Sequence, residues 1–319
     1  MENYTVCQLM KDMRFEGCLL VRSAEKKTDR NGRVYLDMNL ADRTGEINSK
    51  VWNWDEKETV PAGGSVIMLR GSVQEYNGRM QLRVEKWRPV AEDEPVNMNA
   101  LVASAPRSAM EMRREIEETV SSLSSPKLKK LTEEMLRGAG DALNWFPAAQ
   151  RMHHAERSGL LHHTTDMLRL AKGILEVYPW LNRDLLLAGV ILHDLGKIDE
   201  LKSDQSGNVT DYTREGQLLG HLVRGITNLE HAAEKTGVGG ETLILLEHML
   251  LSHHGEAEYG SPKPPMFPEA EALHWIDMMD ARMNTMKGVI DKTPEGAFSE
   301  RVISLERRVY HPRYTEDAE

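Results

Sequence analysis

A histidine and an aspartate stand side by side at the end of an apolar stretch, in the sequence Ile-Leu-His-Asp-Leu-Gly-Lys at 191–197. Such side chains are rare on an apolar helix unless they are hydrogen-bonded or coordinate a metal. Successive helical residues point about 100° apart, so His193 and Asp194 offer two distinct ligand directions. The pair therefore predicts the centre of a metal site.

The other ligands are expected among the twelve histidines, most of which fall between His153 and His274. In chain order the candidate ligands are His163, His193, Asp194, His221, His253, His254 and Asp280. Imidazole together with carboxylate favours Mn, Fe, Co, Ni or Zn over Ca or Mg. A single helical histidine would be weak evidence, so the prediction rests on the ordered set. We expect Asp194 to bridge two divalent ions, which can hold a hydroxide for in-line attack on phosphorus.

Two other classes of catalytic site find no support in the sequence. There is no His-Glu-x-x-His, which would indicate a zinc protease, and no glycine-rich phosphate loop. One of His153 and His154 is expected to contact a scissile phosphate or to protonate a leaving oxygen. The alternative is that both pack at the mouth of the domain. His274 and Asp277, six and three residues before Asp280, are expected to support the metal ligands rather than to bind metal.

Residues 109–319 carry the helical periodicity that would position these ligands. Apolar residues recur every three or four positions from Ala109 onward. Asn182 is expected to cap a central apolar helix, which Gly196 would end. Helices are predicted over 183–195, 217–234, 241–252 and 269–292, with a polar loop over 199–216. The prediction for this part of the chain is an all-α bundle.

Residues 1–90 indicate instead about five short strands separated by turns. The segment 34–40 alternates apolar and polar residues, as a half-buried strand does. Asn77-Gly78 lies between two further strand candidates and favours a tight hairpin. Short strands without a long helix predict a small barrel. Residues 91–108 contain Pro95, Pro106 and no sustained period, so they are interpreted as a linker.

Length and composition predict a soluble protein of two domains. The chain has 319 residues, of which 40% are hydrophobic and 28% are charged, and its net charge is -10. Residues 1–90 carry 15 basic and 13 acidic side chains, so the acidic excess lies in the remainder. Neither a membrane span nor a signal peptide is recognised, and a cytoplasmic protein is therefore expected. Cys7 and Cys18 fit no ligand spacing and are expected to be reduced thiols.

The N-terminal motifs are 31–37 (Asn-Gly-Arg-Val-Tyr-Leu-Asp), 42–47 (Asp-Arg-Thr-Gly-Glu-Ile), 51–52 (Val-Trp), 71–73 (Gly-Ser-Val) and 76–82 (Tyr-Asn-Gly-Arg-Met-Gln-Leu). Together they resemble the OB-folds that bind nucleic acids, which hold single strands on aromatic platforms in a basic groove. The resemblance implies that stacking residues come from Tyr35, Trp52, Trp54 and Tyr76, and phosphate partners from Arg33, Arg43, Lys50, Arg79 and Arg83. At least half of these aromatic residues would instead belong to the barrel core or rim. By their spacing Trp52 and Trp54 would share one strand face.

The ordered ligand set resembles that of the HD-domain metal-dependent phosphohydrolases. The resemblance implies that one metal ion is held by His163, His193, Asp194 and Asp280. It implies that a second ion is held by His221, His253 and His254, with Asp194 shared by both. Lys197 would contact the phosphate or hydroxide, although a lysine at a helix end can equally cap carbonyl groups.

Further motifs are 146–149 (Phe-Pro-Ala-Ala), 159–164 (Gly-Leu-Leu-His-His-Thr), 211–221 (from Asp-Tyr-Thr to Gly-His), 252–255 (Ser-His-His-Gly) and 276–282 (Ile-Asp-Met-Met-Asp-Ala-Arg). With an OB-fold before a helical HD domain, nearly the whole chain is similar to the YhaM-type 3′–5′ exoribonucleases. The resemblance implies that the protein releases nucleoside 5′-monophosphates from single-stranded RNA. It implies two divalent metal ions, with Mn as the first choice. Single-stranded DNA is left open as a second substrate. The chain departs from the family at Ser158-Gly159, where a glycine pair is frequent, and at His162, where an acidic residue is frequent.

Two other functions stay open on the sequence alone. One is a nucleotide or cyclic-dinucleotide phosphohydrolase, which the histidine-rich set allows but which has no need of an OB-fold. The other is a nucleic-acid-binding protein with a vestigial HD site, against which the complete ligand set argues. The expected partners are single-stranded RNA or DNA and no membrane, and a homo-oligomer is left open.

Overall fold

Five strands close a small barrel in the N-terminal part of the chain. Their bounds are β1 (Arg14–Thr28), β2 (Val34–Asp42), β3 (Gly45–Val51), β4 (Val66–Tyr76) and β5 (Arg79–Pro89). The strands close in the order β1-β2-β3-β5-β4, and neighbours are antiparallel except for β3 and β5. The predicted barrel is confirmed in this computed structural model, which describes residues 4–52, 54–55, 58–91, 94–149 and 154–313.

Alternation along β2 separates the barrel core from an outer face. Leu36, Met38 and Leu40 are fully buried inside the barrel. Asp37 points to the opposite side because successive residues of a strand alternate. Antiparallel pairing places Asp37 opposite Lys50 of β3, so both side chains project from the outer face.

The connection between β4 and β5 is a tight hairpin. Asn77 has a φ of 50° and Gly78 a φ of 73°. A two-residue hairpin turn needs positive φ at both positions, which asparagine and glycine adopt most readily. The hairpin predicted at this pair is confirmed.

The chain divides into two units at a point that differs from the predicted boundary. One unit comprises Met1–Ser104 with Asp204–Asn208, and the other comprises Ala105–Ser203 with Val209–Glu319. Part of the predicted linker forms a short helix, α1 (Met98–Leu101). Leu101 and Val102 are buried against Leu20 of β1. The segment up to Ser104 therefore packs with the barrel because its apolar side chains have a surface to cover.

The second unit is built from helices around one apolar helix. Its helices are α2 (Ala109–Ser121), α3 (Pro126–Ala139), α4 (Gly159–Val177), α5 (Arg183–Leu192), α6 (Lys197–Glu200), α7 (Arg214–Thr236), α8 (Glu241–Ser252) and α9 (Pro268–Ile290). Every residue of α5 from Asp184 to Leu192 is buried. The side chain of Asn182 caps this helix by accepting a hydrogen bond from the Leu185 backbone N–H at 3.1 Å. The central helix and its cap agree with the sequence prediction.

Two local features of the helical unit differ from the prediction. The segment 199–216, predicted as a loop, contains the end of α6 and a hairpin of β6 (Leu201–Ser203) and β7 (Val209–Tyr212). The central helix ends at Leu192, and Gly196 has right-handed backbone angles rather than those of a helix stop. A Cβ at Gly196 would collide with the His221 carbonyl oxygen, so this glycine serves close packing against α7. None of the described helices combines the length and apolar character needed to cross a bilayer.

Candidate functional site

His193 and Asp194 follow α5 directly, in the turn that leads into α6. Both are buried, with 1% and 3% of their surface exposed. The Nδ1–H of His193 donates to the carbonyl oxygen of Val190 at 2.8 Å. At the end of α8, Nδ1 of His253 donates in the same way to the carbonyl oxygen of Leu250 at 2.9 Å. These hydrogen bonds orient both rings and leave each Nε2 as the nitrogen available for a ligand.

Two further histidines are oriented by carboxylates instead of backbone carbonyls. Nδ1 of His221 lies 3.1 Å from Oε2 of Glu200. Nδ1 of His163 donates to Oδ2 of Asp280 at 2.6 Å. A carboxylate on Nδ1 fixes the ring and makes Nε2 a better metal donor.

The carboxylate of Asp194 lies between two groups of imidazoles. Its Oδ2 lies 3.3 Å from Nε2 of His193 and 3.7 Å from Nε2 of His163. Its Oδ1 lies 3.6 Å from Nε2 of His221 and 3.7 Å from Nε2 of His253. One carboxylate oxygen therefore faces each group, as a carboxylate shared between two cations would.

His254 and Lys197 lie against the same cluster. Nε2 of His254 is 3.3 Å from Nε2 of His221. Nζ of Lys197 is 2.6 Å from Oδ2 of Asp194, so the lysine forms an ion pair with the central carboxylate. The structure brings together six predicted ligands, which are His163, His193, Asp194, His221, His253 and His254.

The structure places Asp277, and not Asp280, beside the ligand nitrogen of His163. Oδ1 of Asp277 lies 3.2 Å from Nε2 of His163. Asp280 instead accepts from Nδ1, on the far side of the ring, and its Oδ2 also accepts from Nε2 of His154 at 2.7 Å. In this geometry Asp277, and not Asp280, lies on the side of the His163 ring that faces the other candidate ligands. A spacing of three residues puts both on nearly the same helix face, so the sequence alone could not separate them.

The buried polar atoms of the cluster fit a divalent transition metal. Among the described residues, Nε2 of His193, Nε2 of His253 and Oδ1 of Asp194 are buried without a hydrogen-bond partner. Buried polar atoms normally have one, so three that converge on one place indicate a bound cation. These three side chains offer ligand atoms within 4.8 Å of one another. Mixed imidazole and carboxylate donors suit Mn, Fe, Co, Ni or Zn.

Protonation states in the cluster also suit a metal. Burial alone would raise the pKa of Asp194, but Lys197 and His193 hold that pKa well below its usual range. Burial and the neighbouring imidazoles lower the pKa of His254 to about 3, so its ring is neutral. Burial would lower the pKa of His163, yet the two carboxylates beside it raise this pKa to about 10. An ionised carboxylate and a neutral imidazole are the forms that bind metals, so Asp194 and His254 are already in that form. His163 carries a proton near neutral pH, and a metal ion would have to displace it.

A kink in α7 places His221 at the cluster. Gly220, just before it, has a φ of 70° and a ψ of 169°, a conformation open essentially to glycine alone. The kink turns the backbone N–H of His221 to Oε1 of Glu200, at 3.1 Å. Glu200 therefore holds His221 by both its backbone and its ring. Glu200 is not among the residues predicted from the sequence, where the glycine before His221 is the only signal that points to it.

His154 lies behind the ligand cluster, and its ring is buried. Its Nε2 is engaged by Asp280, and its Nδ1 lies 3.1 Å from Nδ1 of His162. Burial would lower the pKa of His162, but neighbouring carboxylates raise it to about 9. Because both ring nitrogens of His154 are engaged, this geometry does not favour the expected contact with a scissile phosphate. His153, the other candidate for that role, lies outside the described residues.

His274 supports the loop that carries two of the ligands. Its Nδ1 donates to the carbonyl oxygen of His253 at 2.9 Å. A Cβ at Gly255 would collide with the His274 ring, so the loop approaches the ring as closely as glycine permits. Through this contact His274 lies against the backbone of His253, one of the candidate ligands.

On the barrel, three aromatic rings surround the ammonium group of Lys50. This aromatic cluster consists of Tyr35, Trp52 and Tyr76, whose ring centres lie 5.0, 5.4 and 5.9 Å from Nζ of Lys50. The rings of Tyr35 and Trp52 lie 4.6 Å apart. Trp52 is 39% exposed and Tyr76 is 62% exposed. Exposed rings beside a cation provide both a stacking surface and a phosphate contact.

Two other barrel candidates lie elsewhere. Trp54 is only 6% exposed and belongs to the barrel core. β3 ends at Val51, so alternation along the strand no longer relates Trp54 to Trp52. Arg43 lies in the turn between β2 and β3. The aromatic cluster lies at the other end of this strand pair, where Leu36 pairs with Val51.

The remaining basic candidates, Arg33, Arg79 and Arg83, are exposed. Arg79 pairs with Tyr76 at the β4–β5 hairpin, next to the aromatic cluster. Arg83 of β5 pairs with Lys50 of β3, which puts both on the outer face. The structure therefore gathers aromatic and basic side chains on one side of the barrel, with Arg43 apart from them.

Comparison with known proteins identifies both units. Residues 19–90 match the family model of the OB-fold nucleic acid binding domain, and residues 160–282 match that of the HD domain. The chain is 41% identical over 294 residues to the 3′–5′ exoribonuclease YhaM of Geobacillus sp. (strain WCH70), covering 92% of this chain and 90% of that protein. It is 41% identical over 294 residues to the protein of the same name from Bacillus subtilis (strain 168), covering 92% and 93%. The corresponding protein of Listeria innocua is 41% identical over 298 residues, covering 93% and 94%.

Proposed function

The chain belongs to the YhaM family of 3′–5′ exoribonucleases, and we propose that it shortens single-stranded RNA from the 3′ end at the metal centre of its helical unit. The products are nucleoside 5′-monophosphates. The observation that carries this proposal is the placement of Asp194, whose two oxygens face two separate groups of Nε2 atoms. Such a carboxylate supports a two-metal hydrolase of phosphodiesters.

We assign the first ion to His163, His193, Asp194 and Asp277, and the second to His221, His253, His254 and Asp194. Asp277 replaces Asp280 in this set because its carboxylate lies on the Nε2 side of His163. When bound, two divalent ions, of which Mn is the first choice, would supply an activated water and would neutralise charge on the phosphate.

The chain's own groups prepare this chemistry. Lys197 keeps Asp194 ionised and adds positive charge next to the place where the phosphate must lie. Asp280 and Glu200 hold His163 and His221 in one orientation each. His154 acts through Asp280 and contacts no substrate in this proposal.

The barrel is proposed to hold the strand upstream of the cleaved bond. Bases stack on the exposed rings of Trp52 and Tyr76, and the buried ring of Tyr35, which is 9% exposed, packs against Trp52. Lys50, Arg33, Arg79 and Arg83 contact phosphates. Stacking and phosphate contacts read no base edges, so we expect little sequence preference, with single-stranded DNA bound as well. Because its substrate is cellular RNA, we place the enzyme in the cytoplasm.

The test is a digestion time course on matched RNA and DNA oligomers carrying a 5′ label, with added Mn. We expect the RNA to shorten stepwise from the 3′ end, to release nucleoside 5′-monophosphates, and to stay intact after chelation of the metal. Metal analysis should find two ions per chain. An RNA that is left intact with two bound ions, or one cut internally, would contradict the proposal. Release of product only from cyclic dinucleotides would assign the centre to small phosphodiesters instead.

A further inference from the structure

A cavity of about 600 Å³ lies beside the ligand cluster in the helical unit. Lys197, His254 and Asp277 line it on the side of the cluster. The rest of its wall comes from α9 and from residues 303–307 near the C-terminus. An antiparallel backbone pairing of Val302 with Arg307 fixes residues 303–307. The volume is within the range of small-ligand sites, and the position gives any occupant access to the metal ligands.

Two guanidinium groups in this wall have no acidic partner among the described residues. Arg282 is half-buried on α9 and forms neither an ion pair nor a hydrogen bond there. Arg307 donates from Nε to the carbonyl oxygen of Leu305 at 3.3 Å and forms no ion pair. Glu306 lines the same cavity, but it is not paired with either arginine.

Several other arginines of the helical unit have carboxylate partners. Arg107 and Arg169 share Glu115, with closest distances of 2.6 and 3.1 Å. Arg183 pairs with Asp184 at 2.9 Å. Arg282 is half-buried and Arg307 is exposed, and both line the cavity that Lys197 and Asp277 also line. Two guanidinium groups without a carboxylate partner at this position favour a site for an external anion. A guanidinium fork matches the oxygens of a phosphate and can donate two parallel hydrogen bonds to it.

The same cavity has an apolar part. Met278 of α9, together with Ile303 and Leu305 of the C-terminal segment, lines it. A ligand with an anionic group and a flat apolar body therefore fits better than inorganic phosphate alone. Nucleotides have this combination of a phosphate and a base.

We propose that this cavity binds the 3′-terminal nucleotide of the RNA and then the nucleoside 5′-monophosphate produced from it. Arg282 and Arg307 donate hydrogen bonds to its 5′-phosphate, which is the scissile phosphate and lies next to Lys197 as well. Its base lies against Met278, Ile303 and Leu305. This inference rests on the proposed exoribonuclease function and extends it to residues outside the metal ligands. It gives the C-terminal segment a role in holding the end of the strand.

The test is binding of adenosine 5′-monophosphate to the full chain by titration calorimetry, with Mn-loaded and with metal-free protein. Adenosine, which has no phosphate, is titrated in parallel. The variants are Arg282→Ala, Arg307→Ala and the milder Arg282→Lys and Arg307→Lys. Arg301→Ala is the matched control, because Arg301 is exposed near the same segment and does not line the cavity. Metal content and thermal unfolding are measured for each variant.

We expect each alanine variant to weaken nucleotide binding about tenfold, with adenosine binding and metal content unchanged. The lysine variants should weaken it less, and they replace the alanine variants if those do not fold. Nucleotide binding that is equal in all variants, in a protein that still degrades RNA, would overturn this inference and leave the proposed function intact. Arginine-dependent nucleotide binding in a protein that degrades no RNA would support the cavity and contradict the function.

Discussion

The outer face of the barrel and the metal centre of the helical unit present their functional side chains under opposite conditions. On the barrel, Trp52 and Tyr76 are 39% and 62% exposed. In the metal centre, His193 and His253 are each 1% exposed. Strand alternation is enough to present a side chain on the barrel face. A buried imidazole needs a second residue that orients the ring and forms a hydrogen bond with the nitrogen that does not face the metal.

This difference predicts how each region responds to substitution. In the metal centre, each ligand is oriented by partners that are themselves buried. The loss of one group therefore disturbs several ligands. On the barrel face, each side chain adds its own share of binding, so single changes have limited effects. The following predictions test this contrast from the largest expected effect to the smallest.

Asp194→Asn is expected to have the largest effect, a loss of at least about 10³-fold in the rate of RNA degradation, because both groups of ligands lose their shared charge. The measurements are a digestion rate and the number of metal ions per chain. Asp184→Asn is the matched control, since Asp184 is also buried but accepts from the backbone N–H groups of Ser124 and Ser125 at 2.7 Å. It should lower stability and keep the metal. If Asp194→Asn retained both metal and activity, the centre would not depend on this carboxylate.

Asp277→Ala and Asp280→Ala are expected to differ strongly although they lie three residues apart. Asp277→Ala removes a proposed ligand and should cost about as much activity as the change at Asp194. Asp280→Ala removes only the carboxylate that accepts a hydrogen bond from Nδ1 of His163. We therefore expect a loss of about 10–100-fold in metal affinity or activity. Metal titration with a digestion assay measures both. The reverse order of effects would return Asp280 to the ligand set and place Asp277 in support.

Trp52→Ala should weaken binding of single-stranded RNA by about 1–3 kcal/mol, the contribution of one stacked base, with no change in metal content. Trp54→Ala should instead destabilise the barrel by about 3–5 kcal/mol, because Trp54 is in its core. Fluorescence anisotropy with a labelled oligomer and chemical unfolding separate these effects. Equal losses of RNA binding at unchanged stability would remove the distinction between the two tryptophans.

The smallest effect is expected for a single basic residue of the barrel. Lys50→Ala should lower the slope of log K against log salt by about 0.7, the value for one phosphate contact with a single strand. Arg43→Ala should leave the slope as it is, because Arg43 lies at the other end of the β2–β3 pair. RNA binding measured at several salt concentrations gives both slopes. An equal change for the two variants would mean that the strand follows a different path.

The sequence by itself determined those features that depend on residue type and local spacing. The strand alternation, the Asn77-Gly78 hairpin and the Asn182 cap follow from the conformations that neighbouring residues allow. The histidines and Asp194 could be predicted as ligands because a His-Asp pair at the end of an apolar stretch has few other roles and because further histidines follow it in an ordered set. The two-domain organisation followed from the change in period between the strands and the helices.

Only the tertiary structure decided which side of each ring faces the metal and what holds it there. Asp277 lies beside Nε2 of His163 and Asp280 beside Nδ1, because the rotation of α9 about its axis is set by packing and not by the spacing along it. Glu200 meets His221 across 21 positions of the chain, and Asp280 meets His163 across 117. Trp52 and Trp54 separate because β3 ends between them. Local patterns carry no information on such contacts, because the contacts exist only once distant segments have packed together.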